Sequence, residues 1–521
     1  MHSNDKFIFE SLELKENIME KYVAAIDQGT TSTKFILFDK RGYPVKSAYE
    51  WHKQIYPSPG YVEHDALEIW NKTKDAIRKV MNKDRIDPKE IDSIGITNQR
   101  ETVVIWDPRD GRPLCNAIVW QCTRTRCLCE DLSARGMEEL VSKKTGLKIN
   151  TYFSGPKIKW LLDNIPKINE KARKGEAFFG NIDSWLIWNL TGGPEGGVHI
   201  TDFTNASRTM LMDIKKLEWD EELLDEFGIP IEMLPEIRPS SAKNFYGYTS
   251  KDGPFGLEIP ICGDIGDQQA ALFGQTCFEV GEAKNTYGTG SFLLQNTGST
   301  PVKSKNGLIS TVAYGLDEKK AIYALEGSIA ITGAAIQWLK NNLGLIRNAA
   351  ETETIARSVE DSGGVYFVPA FVGLFTPYWD MDARGTIIGL TQNTKREHIV
   401  RATLESICYQ TKDVIEAMRR DYGIRLKTLK VDGGASKNNF LMQLQSDILG
   451  IPCVRPSIME ATALGSAYCA GLASGFWSGL EEIKKIWAID KTFEPKWPED
   501  RRETGYRDWT RAVKRALKWI E

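Results

Sequence analysis

Two segments far apart in the chain read as one device, and any fold for this sequence has to accommodate both. The first runs Val23-Ala24-Ala25-Ile26-Asp27-Gln28-Gly29-Thr30-Thr31-Ser32-Thr33-Lys34 into Phe35-Ile36-Leu37-Phe38-Asp39. The second runs Asn285-Thr286-Tyr287-Gly288-Thr289-Gly290-Ser291 into Phe292-Leu293-Leu294. Each is a turn of glycine and hydroxyl residues leading into an apolar run of strand length. Glycine lets the backbone turn tightly and approach a ligand closely. The hydroxyls add donors beside the turn's N–H groups. Either segment alone reads as an ordinary β-hairpin. Two of them facing each other can hold a polyphosphate between two domains.

A chain of 521 residues is too long for one typical core, so two large domains are expected. Both halves repeat strand, glycine turn, strand, then helices. The boundary is expected near residue 275, which gives a unit over 20–275 and a second over 276–521. Residues 1–19 form a charged N-terminal extension. Met19 sits just before the first strand, so residues 1–18 are expected to be mobile or untranslated. A cleft between two α/β domains is a common place for a ligand.

Within this frame Ile94–Thr97 and Val103–Asp107 read as strands, and Lys157–Asn164 reads as a helix. Ile158, Leu161, Leu162 and Ile165 fall on one face of that helix. Further on come a strand pair over Gly307–Ala324 and helices over Ile329–Asn341 and Arg396–Arg420. Thr428–Gly434 reads as strand then glycine turn. The helix around Phe440, Leu441, Leu444 and Ile448 is stopped by Gly450 and Pro452.

A net charge of −3 offers no attraction to nucleic acid or an anionic membrane. No apolar run approaches the roughly 20 residues that span a bilayer, and the polar start lacks a secretory core. The 9 cysteines have no disulfide rhythm, which suits a reducing cytoplasm. Cys122, Cys127 and Cys129 have the wrong spacing for zinc and read as free thiols. The five histidines form no ligand pair.

The P-loop, protein-kinase and nucleophile-elbow motifs are absent, and Gly288 and Gly290 lack the third glycine of a dinucleotide site. What remains is a set of aspartates at strand ends beside glycines: Asp27, Asp264 and Asp267, and Asp432. One such residue reads as a helix cap. Three in the same context favour metal and base roles. Arg100-Glu101 reads either as a solvated ion pair or as a donor and an acceptor for vicinal hydroxyls. Trp120 reads either as core or as the apolar wall of a polyol pocket.

Asp27–Ser32, Thr97–Glu101, Ile118–Cys122, Tyr152–Trp160, Gly266–Gln275 and Asn285–Gly290 closely resemble the motifs of the FGGY carbohydrate kinases, and in particular of their glycerol-phosphorylating branch. That family belongs to the actin, hexokinase and Hsp70 superfamily, and the resemblance runs from about residue 21 to the C-terminus. It implies two ribonuclease H-like α/β domains of the actin-like ATPase type, with the active site in the interdomain cleft. The implied activity is ATP-dependent phosphorylation of glycerol to sn-glycerol 3-phosphate with Mg²⁺. By the matching motifs Arg100, Glu101, Asp267 and Gln268 would bond the hydroxyls, and Trp120, Tyr152 and Phe292 would enclose the carbons. Asp267 would be the general base. Thr30, Thr31, Ser32, Lys34 and Thr289 would meet the phosphates, and Gly333, Gln337, Gly434 and Asn438 the nucleotide. Asp27 would organise Mg²⁺. The family also implies a cytoplasmic homo-oligomer, dimer or tetramer.

Two departures stand out. Lys34 replaces a frequent arginine, which keeps charge but loses bidentate geometry. The stretch Thr249–Glu258 lacks the arginine with which bacterial members bind fructose 1,6-bisphosphate, so little or no inhibition by that effector is expected. The competing readings are a kinase of another sugar, such as xylulose or gluconate, and a nucleotide-switched binding or filament protein.

Overall fold

The computed structural model describes residues 20–243 and 245–520. The expected extension over residues 1–19 lies outside them. Both glycine turns sit in hairpins. Tyr22–Gln28 pairs antiparallel with Ser32–Phe38, and Ala283–Tyr287 pairs antiparallel with Ser291–Gly298.

Each hairpin nucleates a sheet of the same plan. In the first, the strand order is Ile261–Gly266, Ile91–Asn98, Tyr22–Gln28, Ser32–Phe38, Pro44–Trp51. Three neighbouring strands are antiparallel, and the two added on the other side are parallel. In the second, Lys320–Ile329, Ser291–Gly298 and Ala283–Tyr287 are the antiparallel set, and Leu429–Asp432 and Cys453–Pro456 the parallel one. Ile309–Asp317 and Ile489–Phe493 extend the second sheet at its two edges.

The first hairpin reads as continuous apolar sequence because both of its faces are covered. Ala24, Ile26, Phe35 and Leu37 enter one core, while Val23, Ala25, Ile36 and Phe38 enter the other. The alternation follows from the two-residue period of a strand.

The second core of the first sheet is closed by Ala461–Ser474, a helix from the far end of the chain. Its small residues permit contact at backbone distance. A Cβ at Gly465 would lie 1.9 Å from the Ala270 carbonyl oxygen, and one at Gly95 would lie 2.1 Å from that of Ser466. Only glycine fits at either place. Gly465 thereby packs directly on Asp267–Gly274, the helix that begins with the expected base.

The expected helix at Lys157–Asn164 is Ser154–Asn164, with Ile158, Leu161 and Leu162 buried. The helix expected from Ile329 begins at Gly333, because Ile329 still pairs with Ser291 in the second sheet. Among the described residues of the stretch 229–262, a short 3₁₀ turn and the strand Glu236–Arg238 are the named elements before Ile261.

Candidate active site

A cavity of about 360 Å³ lies between the two hairpins. Thr30, Arg100, Glu101, Trp120 and Tyr152 line it, together with Asp267 and Gln268 from the start of their helix. Thr289 and Phe292 close it from the second hairpin.

Arg100 extends the strand Ile91–Asn98 into the centre of this site and is 2% exposed. Its Nη1 donates to Gln269 Oε1 at 2.9 Å and to Glu326 Oε2 at 2.7 Å. Its Nη2 donates to Glu326 Oε1 at 3.2 Å and to the Tyr152 hydroxyl at 3.4 Å. Its Nε lies 3.1 Å from an Asp267 carboxylate oxygen. Four of the five N–H groups of the guanidinium are therefore hydrogen-bonded, and the fifth, on Nε, has only the ion-pair contact with Asp267.

Glu101 sits at φ 60°, a rare conformation for a glutamate. The Thr102 N–H donates to the Arg100 carbonyl at 2.8 Å, closing a three-residue turn around it. Such strain costs about 1–3 kcal/mol and persists only where its surroundings hold it. Here Arg208 Nε donates to Glu101 Oε1 at 2.6 Å, and Ser154 and Lys157 both donate to the Glu101 carbonyl. Lys157 also donates to the carbonyls of Tyr152 and Phe153, and burial pulls its ammonium down to about 7.

Glu326 completes the charge balance. It lies on Lys320–Ile329 of the second sheet and receives both Arg100 and Arg208, the latter at 3.0 Å. Burial pushes its carboxyl up, but the two guanidiniums outweigh that and hold it at about 2. Burial also pushes Glu101 up, against the pull of the same two arginines. Burial raises Asp267, opposed by Arg100 and Lys284. Its side chain keeps 27% exposure, so water can still reach the carboxylate.

The aromatic wall is continuous. The Trp120 ring meets Tyr152 and Phe292 edge-on at 5.6 and 6.3 Å. Trp120 Nε1 donates to Thr30 Oγ1 at 3.0 Å, which ties this wall to the first glycine turn. Behind that turn, Gln54 Nε2 donates to the Thr30 carbonyl at 2.9 Å, and its Oε1 meets His64 at 2.9 Å. Burial lowers His64 to about 3, so the ring is a neutral brace.

The remaining expected residues stand outside the cavity lining. Thr31 is exposed, while Ser32 and Thr33 are buried in the strand. Lys34 turns to Glu460 at 2.9 Å and to Asp27 at 3.6 Å. Burial pulls its ammonium down, but these carboxylates outweigh it and hold it above the ordinary lysine value. Gly333 donates its N–H to the Gly288 carbonyl at 3.0 Å, so its helix is stitched to the second turn, and Gln337 lies exposed further along it. Asn438 caps the helix Asn439–Leu449 through Leu441 N and donates to Thr352 at 3.1 Å.

Two of the strand-end aspartates take other surroundings. Asp264 is wholly buried; burial and the neighbouring Asp183 and Asp202 raise its carboxyl well above the ordinary carboxylate value. Asp432 accepts from Gln275 Nε2 at 2.9 Å.

Sequence reading did not single out Arg208, Glu326 or Lys284. A signal for the last two was present, since each is a single charged residue inside a strand of otherwise uncharged core positions, Ala324–Ser328 and Ala283–Tyr287.

The donor set and turns fit a nucleotide and its metal. A Cβ at Gly434 would meet nothing within 4 Å, whereas one at Gly433 would lie 2.5 Å from the Tyr287 carbonyl. The backbone at Gly434 is therefore open to a ligand, and the residue before it fixes the turn. Among the described residues no three His, Cys, Asp or Glu side chains come together to hold a metal by themselves. A single carboxylate such as Asp27 suits Mg²⁺, which keeps waters and rides on phosphates.

Two sheets of one plan, each built on a phosphate-type hairpin around a shared cavity, define an α/β phosphotransferase architecture of the actin-like superfamily. Family models for the N-terminal and C-terminal domains of the FGGY family of carbohydrate kinases match residues 22–274 and 283–474. The chain is 59% identical over 503 residues to the glycerol kinase of Caldanaerobacter subterraneus subsp. tengcongensis, covering 96% of this chain and 100% of the relative. It is 57% identical over 499 residues to glycerol kinase 2 of Thermotoga maritima, covering 96% and 99%. The crystal structure of Plasmodium falciparum glycerol kinase with ADP superposes with a TM-score of 0.88 at 42% identity, covering 96% and 99% of the two chains. The chain belongs to the FGGY family of carbohydrate kinases.

Proposed function

We propose that this protein transfers the γ-phosphoryl group of ATP to a terminal hydroxyl of glycerol, giving sn-glycerol 3-phosphate and ADP. The observation that carries the reading is the lining of the partly open cavity between the two hairpins. It sets a guanidinium, two carboxyls and an amide against an aromatic wall. Every glycerol oxygen can find a donor and an acceptor there, and the three carbons find Trp120, Tyr152 and Phe292. Four Arg100 N–H groups are already hydrogen-bonded, so a hydroxyl enters at Nε in place of the Asp267 ion-pair contact, or by displacing the long Tyr152 contact. Taking the place of Asp267 on Nε frees that carboxylate to accept a proton.

Asp267 then accepts the proton of the terminal hydroxyl as its oxygen forms a bond to the γ-phosphorus. The bond from that phosphorus to the bridging oxygen breaks, and ADP leaves. Such transfer needs positioning and charge stabilisation more than covalent help. Thr30, Thr31, Ser32, Lys34 and Thr289 are assigned to the phosphates, and Gly333, Gln337, Gly434 and Asn438 to the nucleoside. Asp27 would hold Mg²⁺ through water, and the ion supplies charge neutralisation of the phosphate oxygens when bound. The domains are assigned as residues 20–275 for polyol and phosphate and 276–521 for nucleotide, with the helix Ala461–Ser474 returning to the first sheet. No helix among the described residues is long and apolar enough to cross a membrane. A cytoplasmic homo-oligomer, dimer or tetramer, is assigned by family likeness, and sedimentation tests it.

Steady-state ADP release from ATP is the test, across glycerol, xylulose and gluconate. Glycerol is expected to give the highest kcat/KM, and faster turnover of a pentulose would defeat the assignment. ATP hydrolysis indifferent to every polyol would favour a nucleotide-switched binding protein.

A further inference from the structure

Lys284 is wholly buried on the first strand of the second hairpin and carries no role in the reaction as described above. Its Nζ donates to Gln268 Oε1 at 2.7 Å, to Thr286 Oγ1 at 2.9 Å and to the Phe292 carbonyl at 3.3 Å. Its three donors are thus spent on three acceptors, and each acceptor belongs to the cavity wall. One contact crosses from the second hairpin to the helix that begins at Asp267. The other two hold the hairpin that carries Gly288-Thr289-Gly290.

An ammonium can only donate, so the Gln268 amide must turn its oxygen to Lys284. Its NH₂ group is then left to serve the cavity as a donor. We propose that Lys284 is a positioning residue that fixes Gln268 as a hydroxyl-binding donor and ties the polyol wall to the second phosphate turn. The inference rests on the glycerol reading and names a residue for that same site.

The setting also makes this device titrate. Burial lowers the ammonium to about 8, against Asp432, Asp267 and Glu326, which raise it, and with Arg100, which lowers it. Above that value the neutral amine loses a donor and no longer requires an oxygen opposite, so the amide is free to turn over. Glycerol affinity therefore falls as pH rises through about 8.

Glycerol and ATP KM values measured from pH 6.5 to 9.5 test this. For the native protein the glycerol KM is expected to climb above about pH 8 with the ATP KM nearly level. Lys284→Met is expected to raise the glycerol KM roughly 10–100-fold already at pH 7, the scale of a lost charge-assisted hydrogen bond, and to lose the basic limb. Lys284→Arg keeps donors that do not titrate, and is expected to recover affinity without the basic limb. A glycerol KM in Lys284→Met within twofold of native, or a rise shared equally by ATP, would overturn the proposal. If that variant does not fold, a native glycerol KM that stays flat across the range overturns it instead. Native turnover of glycerol at pH 7 is the control that separates this failure from failure of the glycerol assignment.

Discussion

Around Arg100 every charged side chain has its partner in place, whereas around Gly434 the backbone faces open space. The half of the cleft assigned to the polyol is a closed set of opposite charges. Arg100, Arg208 and Lys284 stand against Glu101, Glu326 and Asp267, all but Asp267 buried. The half assigned to the nucleotide is a set of turns with exposed tips, Thr31 and Thr289, and of residues already used by the fold, such as Asn438. The difference follows ligand size. A three-carbon triol offers few contacts, so each must be preformed to be worth much. A nucleotide spreads its binding over many backbone groups, and no single side chain has to be exact in its placement.

This contrast is sharpest at Asp267. Asp267→Asn keeps the shape of the half assigned to the polyol and removes the proposed proton acceptor. Turnover is expected to fall by about 10²–10⁴-fold, the range for loss of a general base. Nucleotide binding, followed by calorimetry with ADP, is expected to stay near native. Matching losses in both would show that the two halves are not separable. The pH dependence carries the same information. Burial raises the Asp267 carboxyl, and the ionised form is the proposed base, so kcat/KM is expected to fall as pH drops through that raised value. The Asn variant has no such acid limb.

Glu326 tests whether the preformed charge set is structural as well. Glu326→Gln leaves Arg100 and Arg208 without their shared carboxylate. Breaking a buried pair from one side costs about 3–5 kcal/mol, so the denaturant midpoint should drop clearly. The folded carboxyl sits at about 2, below its ordinary value of 4.5. Its contribution is therefore complete above about pH 4.5 and is lost as pH falls through 2. The native midpoint should decline across that window by an amount that Glu326→Gln lacks. An unchanged midpoint at neutral pH would mean that the arginines find other partners and the set is not closed.

The two halves were also unequally legible. Gly29–Ser32, Arg100-Glu101, Gly266–Gln269 and Gly288–Gly290 are short contiguous strings whose backbone and side-chain chemistry act together, and a linear reading finds them. Arg208 and Glu326 lie 108 and 226 positions from Arg100 along the chain, one in the turn after the short helix Phe203–Ala206 and the other on the second sheet, and only the tertiary fold brings them to it. The return of Ala461–Ser474 to the first sheet was invisible for a different reason. Its message is the smallness of Gly465 and its neighbours, and a small residue signals close approach without saying to what. Lys284 was not singled out, because its meaning lies in its burial and in its contact with Gln268 on the helix opposite.

On the nucleotide side the expected effects are smaller. Thr289→Val removes one exposed hydroxyl beside the second turn. A neutral hydrogen bond contributes about 0.5–1.5 kcal/mol, so the ATP KM should rise up to about tenfold with the glycerol KM unchanged. A larger change in glycerol than in ATP would move Thr289 to the other half of the comparison.

The smallest expected effect lies away from the cleft, in the loop Thr249–Glu258. Lys251 and Glu258 stand 3.4 Å apart with 68% and 57% of their side chains exposed. Asp252 lies beside them, so one cation faces two carboxylates and the loop is net negative. Its backbone is occupied as well, since Thr249 Oγ1 bonds the Leu257 carbonyl and the Ile259 N–H, and Gly253 N bonds the Ser250 carbonyl. A bisphosphate would have to displace an internal pair and then face the surplus carboxylates. Millimolar fructose 1,6-bisphosphate should therefore leave glycerol turnover unchanged, at low salt as well as high, although low salt favours any attraction between exposed charges. Inhibition that appears at low salt and fades with added salt would place a working anion site on this loop, and would require the Lys251–Glu258 pair to open.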